Sequence, residues 1–286
     1  MNLRATNRRV ARVVAAVMQK GGVGKTTSII NLARAAMLKG LRVLVCDMDP
    51  QGNTTDALAK GELAEDEVSI ADALNPSEKD RVPITDVIVK TIWDGVDLAP
   101  VTSTEALATV EELIAAAKHG REYRLREALQ PVLGEYDLIL IDNAPSLGLL
   151  LVNALAASET DELALVVMEA DRWSTQGLVR LRRTVEGVQK YYSRDLRWAG
   201  ILISKWRGTT DEREKLADIA EHFPDAPVWA SQDDDYRDAV PLWNKIKTEI
   251  NAGTGMDESS DVRLRVTVAA IYDRAIDRLM AGREAA

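Results

Sequence analysis

An apolar run from Val10 to Met18 passes directly into Gln19-Lys20-Gly21-Gly22-Val23-Gly24-Lys25-Thr26-Thr27, and then into a helical pattern over Thr26–Lys39 that ends before Gly40. No other feature constrains the fold as much. A near-continuous apolar strand that opens through glycines into a helix belongs to a sheet covered on both faces. The loop also carries chemistry. Its backbone N–H groups can point inward at phosphate oxygens, and the helix behind it adds the positive end of its dipole. Lys25 is placed to reach the β- and γ-phosphates of a nucleotide, and the Thr26 hydroxyl to ligate Mg²⁺. The strict G-x-x-x-x-G-K-[ST] pattern is not met, because Gln19 stands at its first glycine position.

The rest of the chain repeats the alternation. Strands are predicted at Arg42–Cys46, Val96–Ala99, Leu138–Ile141, Leu163–Met168, Ala199–Ile203 and Pro227–Trp229. Helical stretches separate them, over Thr104 to about Leu133, 174–192 and 210–222. Continuous apolar strands alternating with helices predict an α/β fold, a doubly wound, mostly parallel sheet flanked by helices, with ligands at the carboxyl ends of the strands. There is no internal repeat. One domain over 1–286 is expected, with a basic N-terminal arm at 1–9, a polar, glycine-bearing mobile loop at 248–261 and a C-terminal helix over 262–283.

Three segments in order carry a family resemblance. Lys20-Gly-Gly-Val-Gly-Lys25-Thr-Thr resembles the deviant Walker A motif of the ParA/MinD class of P-loop ATPases. Val45 to Thr54, with Asp47-Met48-Asp49-Pro50-Gln51-Gly52-Asn53, is similar to that family's second-strand motif, and Tyr136 to Ala154, containing Asp142, to its Walker B region. The similarity runs from about Val10 to Ala239, and the Asp-Pro-Gln-Gly-Asn and Pro-Ser-Leu-Gly runs resemble the ParA/Soj partition branch. The resemblance implies a partner-stimulated ATPase that binds ATP and Mg²⁺ through Lys20, Gly21, Gly22, Val23, Gly24, Lys25, Thr26 and Thr27. Lys25 would serve its own nucleotide while Lys20 crosses to that of a second subunit, giving an ATP-sandwich homodimer. Asp49 would orient or deprotonate the attacking water, so Lys20, Lys25 and Asp49 form the catalytic set. Thr26, Asp47 and Asp142 would hold or support the metal. Phosphoryl transfer needs mainly positioning and charge neutralisation, so these few residues suffice.

Two regions that hold adenine in the family depart from its pattern. Ser204-Lys205-Trp206-Arg207 stands where relatives often show a Met-x-Asp-x-Arg type sequence, and Lys205 and Trp206 are the candidate base-side contacts. Ser231 to Ala239 carries three consecutive aspartates where a Pro-Arg or Asp-Arg pair is common, although its Tyr-Arg-Asp-Ala resembles plasmid-type relatives. Asn143-Ala144 replaces the family's usual Cys or Thr after the Walker B carboxylate.

Charge bears on partners. With 36 Lys+Arg against 45 Asp+Glu the net charge is −9, which argues against a wholesale nucleic-acid coat. A local excess stands out from Arg172 to Arg197, with seven basic residues against two acidic ones, and the final helix adds Arg263, Arg265, Arg274 and Arg278. Such stretches are either solvated helix faces or non-specific DNA contacts, which need only Lys and Arg against phosphate. Arg180, Arg183, Arg263 and Arg265 are the DNA-contact candidates. The single cysteine, Cys46, excludes an intramolecular disulfide and argues against the family's reductase and metal-carrier branches. His119 and His222 have no ligand at metal spacing, and Ser174 no triad context.

No stretch approaches the roughly 20 apolar residues of a membrane helix. The last residues, Leu279 to Ala286, are small and mixed in charge, a poor membrane anchor. A cytoplasmic, nucleoid-associated protein with a ParB-like partner is expected, moving plasmid or chromosome DNA. The rivals are a MinD-like membrane-cycling ATPase for division-site placement and an ATP-dependent DNA-bound regulator, which would leave sequence-specific footprints.

Overall fold

In a computed structural model, residues 10–283 are described, without the side chains of 172–175 and 222. The expected arm at 1–9 and the side chains of Ser174 and His222 lie outside the described residues. The strands are β1 (Arg12–Val17), β2 (Val43–Met48), β3 (Val89–Lys90), β4 (Val96–Ala99), β5 (Leu138–Asn143), β6 (Glu162–Met168) and β7 (Arg197–Ile203). They form one sheet in the order β3-β4-β2-β5-β1-β6-β7, parallel throughout except for β3 against β4. β1 lies inside the sheet, with β5 on one side and β6 on the other. The chain winds outward in both directions from there, so the crevice opens at the carboxyl end of β1, beside the glycine-rich loop.

Helices cover both faces because each strand is apolar on both. Along β1, Val13, Ala15 and Val17 enter one core while Val14 and Ala16 enter the other. The first core is closed by α3 (Ile70–Leu74), α4 (Ile84–Val87), α5 (Thr104–Ala116), α6 (Arg124–Leu129), α7 (Leu149–Leu155), α8 (Arg172–Tyr191) and α9 (Thr210–His222). The second is closed by α1 (Lys25–Leu38), α2 (Asn53–Leu58), α10 (Asn244–Asn251) and α11 (Ala269–Met280). A π-helical turn, Leu264–Val268, leads into α11. No helix among the described residues is long and apolar enough to cross a membrane.

Two expectations need correction. Pro227–Trp229 is not a strand: Val228 makes one isolated parallel pairing with Ile201. Pro227 has no N–H to give a ladder, and Gly200 opposite, at φ 139, lets Pro227 O approach to 2.7 Å from where a Cβ would stand. The segment 248–261 is not a free loop. It begins within α10, and its remainder is tied to α1, where Arg34 Nη2 lies 2.7 Å from both Asp257 Oδ2 and Glu258 Oε1. Met256 and Ser259 are buried, and Ser259 Oγ donates to Glu249 Oε1 at 2.7 Å.

Candidate active site

The loop from Met18 to Gly24 turns β1 into α1 through two left-handed glycines, Gly22 at φ 72 and Gly24 at φ 90, a conformation that costs an L side chain energy at each. Gly24 caps α1 with no side-chain bond, and the first turn holds no acidic residue. Its first N–H groups therefore lack intrahelical partners and face the cleft under an uncompensated dipole. Ser204 Oγ donates to Val23 O at 2.5 Å and Met168 O at 3.2 Å, pinning the loop to the ends of β6 and β7. Gly22, Gly24, Lys25, Thr26 and Thr27 line a cleft of about 940 Å³, a volume typical of small-molecule sites. Gly21 and Val23 do not line it. Gly21 packs beside Pro145, and Val23 is buried as the loop's anchor in the core.

Lys25 is 6% exposed. Burial lowers its pKa, while the nearby carboxylates Asp142 and Asp49 pull the other way. The buried cation lacks full compensation, which a phosphate chain would supply. Asp142 ends β5 fully buried, and its Oδ2 accepts from Thr26 Oγ1 and Thr54 Oγ1, each at 2.7 Å. Its Oδ1 is buried with no hydrogen-bond partner. Burial raises the Asp142 pKa despite the Thr26 and Thr54 hydroxyls and the Lys25 charge. An orphaned carboxylate oxygen beside a threonine hydroxyl at a phosphate site fits Mg²⁺, which keeps several waters and takes one or two protein ligands plus phosphate. In keeping with that, the described residues contain no group of three or more His, Cys, Asp or Glu that could cage a metal.

Asp47, expected to support the metal, is held by the turn after β2. Its Oδ1 accepts from Asp49 N at 3.2 Å, and its Oδ2 from Thr55 N at 2.9 Å and Thr55 Oγ1 at 2.8 Å. Both oxygens accept from the loop that follows β2. Burial first, then the neighbouring Asp142 charge, push its pKa up to about 8. Asp47 thus shapes the turn that presents Asp49. Asp49 lines the cleft, with Oδ1 steadied by the Gln51 N–H at 3.0 Å.

Lys20 stands apart from the cleft lining. Its Nζ is 2.5 Å from Asp171 Oδ2 and 3.8 Å from Glu169 Oε1, and Glu169 also accepts from Lys205 Nζ at 3.1 Å. Lys205, at φ 53, lines the cleft, but Trp206 does not. The Trp206 ring packs on Tyr236, with centroids 5.0 Å apart, and its backbone pairs with Val240 and Leu242. Val240, Pro241, Leu242, Trp243 and Ile246 supply an apolar part of the cleft's lining. None of these five stands out in the sequence, where their only signal is an apolar run after the aspartates. Thr54, a second donor to Asp142, is equally inconspicuous there, although it closes the second-strand motif.

The four arginine candidates do not form one patch within the chain. Arg180 and Arg183 are exposed on α8, on one side of the sheet, while Arg263 and Arg265 are exposed near the start of the final helical segment on the other. Arg263 pairs with Asp261 at 2.7 Å and lies 5.2 Å from the Trp243 ring centroid. Arg265 donates to the Ser259 carbonyl.

Whatever enters the cleft meets N–H groups, a buried lysine and a threonine beside a carboxylate, a set suited to a phosphate chain and its counter-ion. With the doubly wound sheet behind it, that set defines a P-loop nucleoside triphosphatase. Comparison with known proteins narrows the class. Residues 11–198 match the family described as AAA domain. The chain is 36% identical over 217 residues to the sporulation initiation inhibitor protein Soj of Bacillus subtilis, covering 76% of this chain and 81% of that protein. It is 37% identical over 218 residues to the chromosome partitioning protein ParA of Caulobacter vibrioides, covering 75% and 77%. Among solved structures, cobyrinic acid a,c-diamide synthase from Mycobacterium smegmatis, with bound ATP analog and magnesium, superposes with a TM-score of 0.75 at 28% identity, covering 96% of this chain and 98% of that one. The chain belongs to the ParA/Soj-type partition ATPases of the ParA/MinD family.

Proposed function

We propose that the chain binds ATP·Mg²⁺ in the cleft, dimerises across it, binds DNA without sequence preference in that state, and is released when a ParB-like partner stimulates hydrolysis. The observation that carries the reading is the second lysine of the phosphate loop. Lys25 already serves the cleft from within, while Lys20 lies outside its lining and is held by Asp171 and Glu169. In a dimer that cation would exchange these carboxylates for the phosphates of the second copy's nucleotide. Further support comes from the Mycobacterium smegmatis structure with its ATP analog and magnesium, and from the relatives named for chromosome partitioning.

In this reading Thr26 and Asp142 would hold Mg²⁺. Bound there, the ion would supply neutralisation of the charge on the phosphoryl group. Lys25 and the N–H groups at the start of α1 bind the β- and γ-phosphates, and Asp49 orients the attacking water or takes its proton. Charge would recruit DNA through phosphate alone, so affinity should fall steeply with salt. The membrane alternative is disfavoured by the final helix, whose Ile271, Ile276 and Leu279 are buried against the body of the protein.

The test is binding to a random-sequence duplex with ATP, ADP or no nucleotide, at low and moderate salt, beside anionic liposomes. ATP-dependent, salt-sensitive DNA binding that is abolished in Lys20→Ala is the expected result. Binding to liposomes without DNA binding would overturn the reading in favour of membrane cycling.

A further inference from the structure

The final helix touches both walls of the cleft. On the phosphate side, the Tyr272 hydroxyl is buried 3.3 Å from Ser28 Oγ in the first turn of α1. On the other side, Arg274 and Arg278 close on one carboxylate. Arg274 Nε donates to Asp238 Oδ1 at 2.6 Å, and Arg278 Nη2 to Asp238 Oδ2 at 2.5 Å. Asp238 is fully buried. Burial alone would raise its pKa, but the hydrogen bonds from Arg278 and Arg274 outweigh it and hold the carboxyl below its usual range.

Asp238 sits two residues before the apolar wall of the cleft. Backbone bonds fix that wall to β7 along one edge: Val240 N donates to Ile203 O at 2.8 Å, Trp206 N to Val240 O at 2.9 Å and Leu242 N to Trp206 O at 3.0 Å. The chain enters it through two successive left-handed non-glycine residues, Asp235 at φ 54 and Tyr236 at φ 56, a conformation that persists only where the surroundings over-determine it. A buried ion triad is weak evidence for stability, since apolar residues of similar volume would often hold the helix as well. What the charges add is direction: two guanidinium groups fix where the carboxylate, and hence the start of the wall, must lie.

Resting on the reading of the cleft as the nucleotide site, we propose that Asp238 is a positioning residue for the nucleotide base, setting the Val240–Trp243 wall against the phosphate loop through Arg274 and Arg278. The phosphates are held independently by the loop and α1, so loosening the wall should cost the base and spare the phosphates.

The experiment compares wild type with Asp238→Asn in the full chain. It measures equilibrium Kd for ATP and for inorganic tripolyphosphate, both with Mg²⁺, and KM and kcat for ATP. The expected result is an ATP Kd and KM raised about ten-fold, the size of coupling that packed polar networks carry, with kcat and the tripolyphosphate Kd within about two-fold of wild type. If Asp238→Asn does not fold, Arg274→Gln, which keeps the Arg278 contact, is read by the same split. ATP and tripolyphosphate weakened together, or neither weakened, would overturn the proposal. A wild-type chain that binds neither would instead overturn the nucleotide reading on which it rests.

Discussion

At the scale of single residues the site is a set of charges held short of compensation. Lys25 is buried with its pKa lowered, and Asp142 keeps one buried oxygen without a partner. Both are unfavourable in isolation and become favourable with a phosphate and a cation between them. Replacing Lys25 with Ala should therefore lower ATP turnover by at least about 10²-fold, the scale of removing a charge-stabilising donor. The nucleotide-free melting temperature should not fall, because the lysine amine costs stability there. A drop of several degrees without nucleotide would show the lysine to be structural. Asp47 illustrates the converse. Asp49 and Thr55 supply it with three donors, so its carboxylate is already satisfied.

At the scale of elements, ends and junctions set the properties. β6 begins at Glu162, fully buried, whose Oε1 accepts from Ala157 N at 2.6 Å and Ser158 N at 3.2 Å, and whose Oε2 accepts from Ser193 Oγ at 3.0 Å. Burial raises its pKa from the ordinary 4.5 to about 8, against the pull of those donors. Between those values the folded chain keeps a proton that the unfolded chain has released. Stability from this group is thus fully present at low pH and lost as pH rises toward about 8. Asp137 and Asp161 have lowered pKa values, so their contribution fades only in acid, below this window. Thermal melts of Glu162→Gln should therefore gain on wild type as pH is raised from about 5 to about 8. A constant difference across that range would show that Glu162 is ionised throughout.

At the scale of the whole molecule, the sheet separates the two arginine pairs. α8, with Arg180 and Arg183, covers one face, and the final helix with Arg263 and Arg265 covers the other. One straight duplex cannot press on both faces of a single chain. Arg263 is already paired with Asp261, and Arg265 is turned to the Ser259 carbonyl. The double variant Arg180→Ala/Arg183→Ala should therefore lower the log–log salt slope of DNA binding by about two, one for each phosphate no longer neutralised. The pair Arg263→Ala/Arg265→Ala should change it less. The reverse ranking in a salt titration would move the DNA surface to the other face. The same final helix reaches Ser28 through Tyr272 and Asp238 through Arg274 and Arg278.

What the sequence determined by itself is local. The order of strands and helices, the phosphate loop and the three motif segments are contiguous runs whose spacing decides their conformation, and most of the strands and helices form where that spacing puts them. α9, Thr210–His222, forms over the expected 210–222, and a capping box of Thr209 and Glu212 fixes its start. What only the tertiary structure decided depends on which distant groups meet. That Arg34 holds Asp257 and Glu258, and that Asp238 lies between two arginines of the final helix, are pairings across 36 to 224 positions of chain, while Thr55 reaches Asp47 across a turn of only eight. The base wall was hidden for the same reason. Val240–Trp243 is an apolar run like many others until the backbone of Ile203 and Trp206 draws it beside the loop. Burial then sets the charges: Asp47 gives both oxygens to the turn after β2 while its pKa is pushed up to about 8.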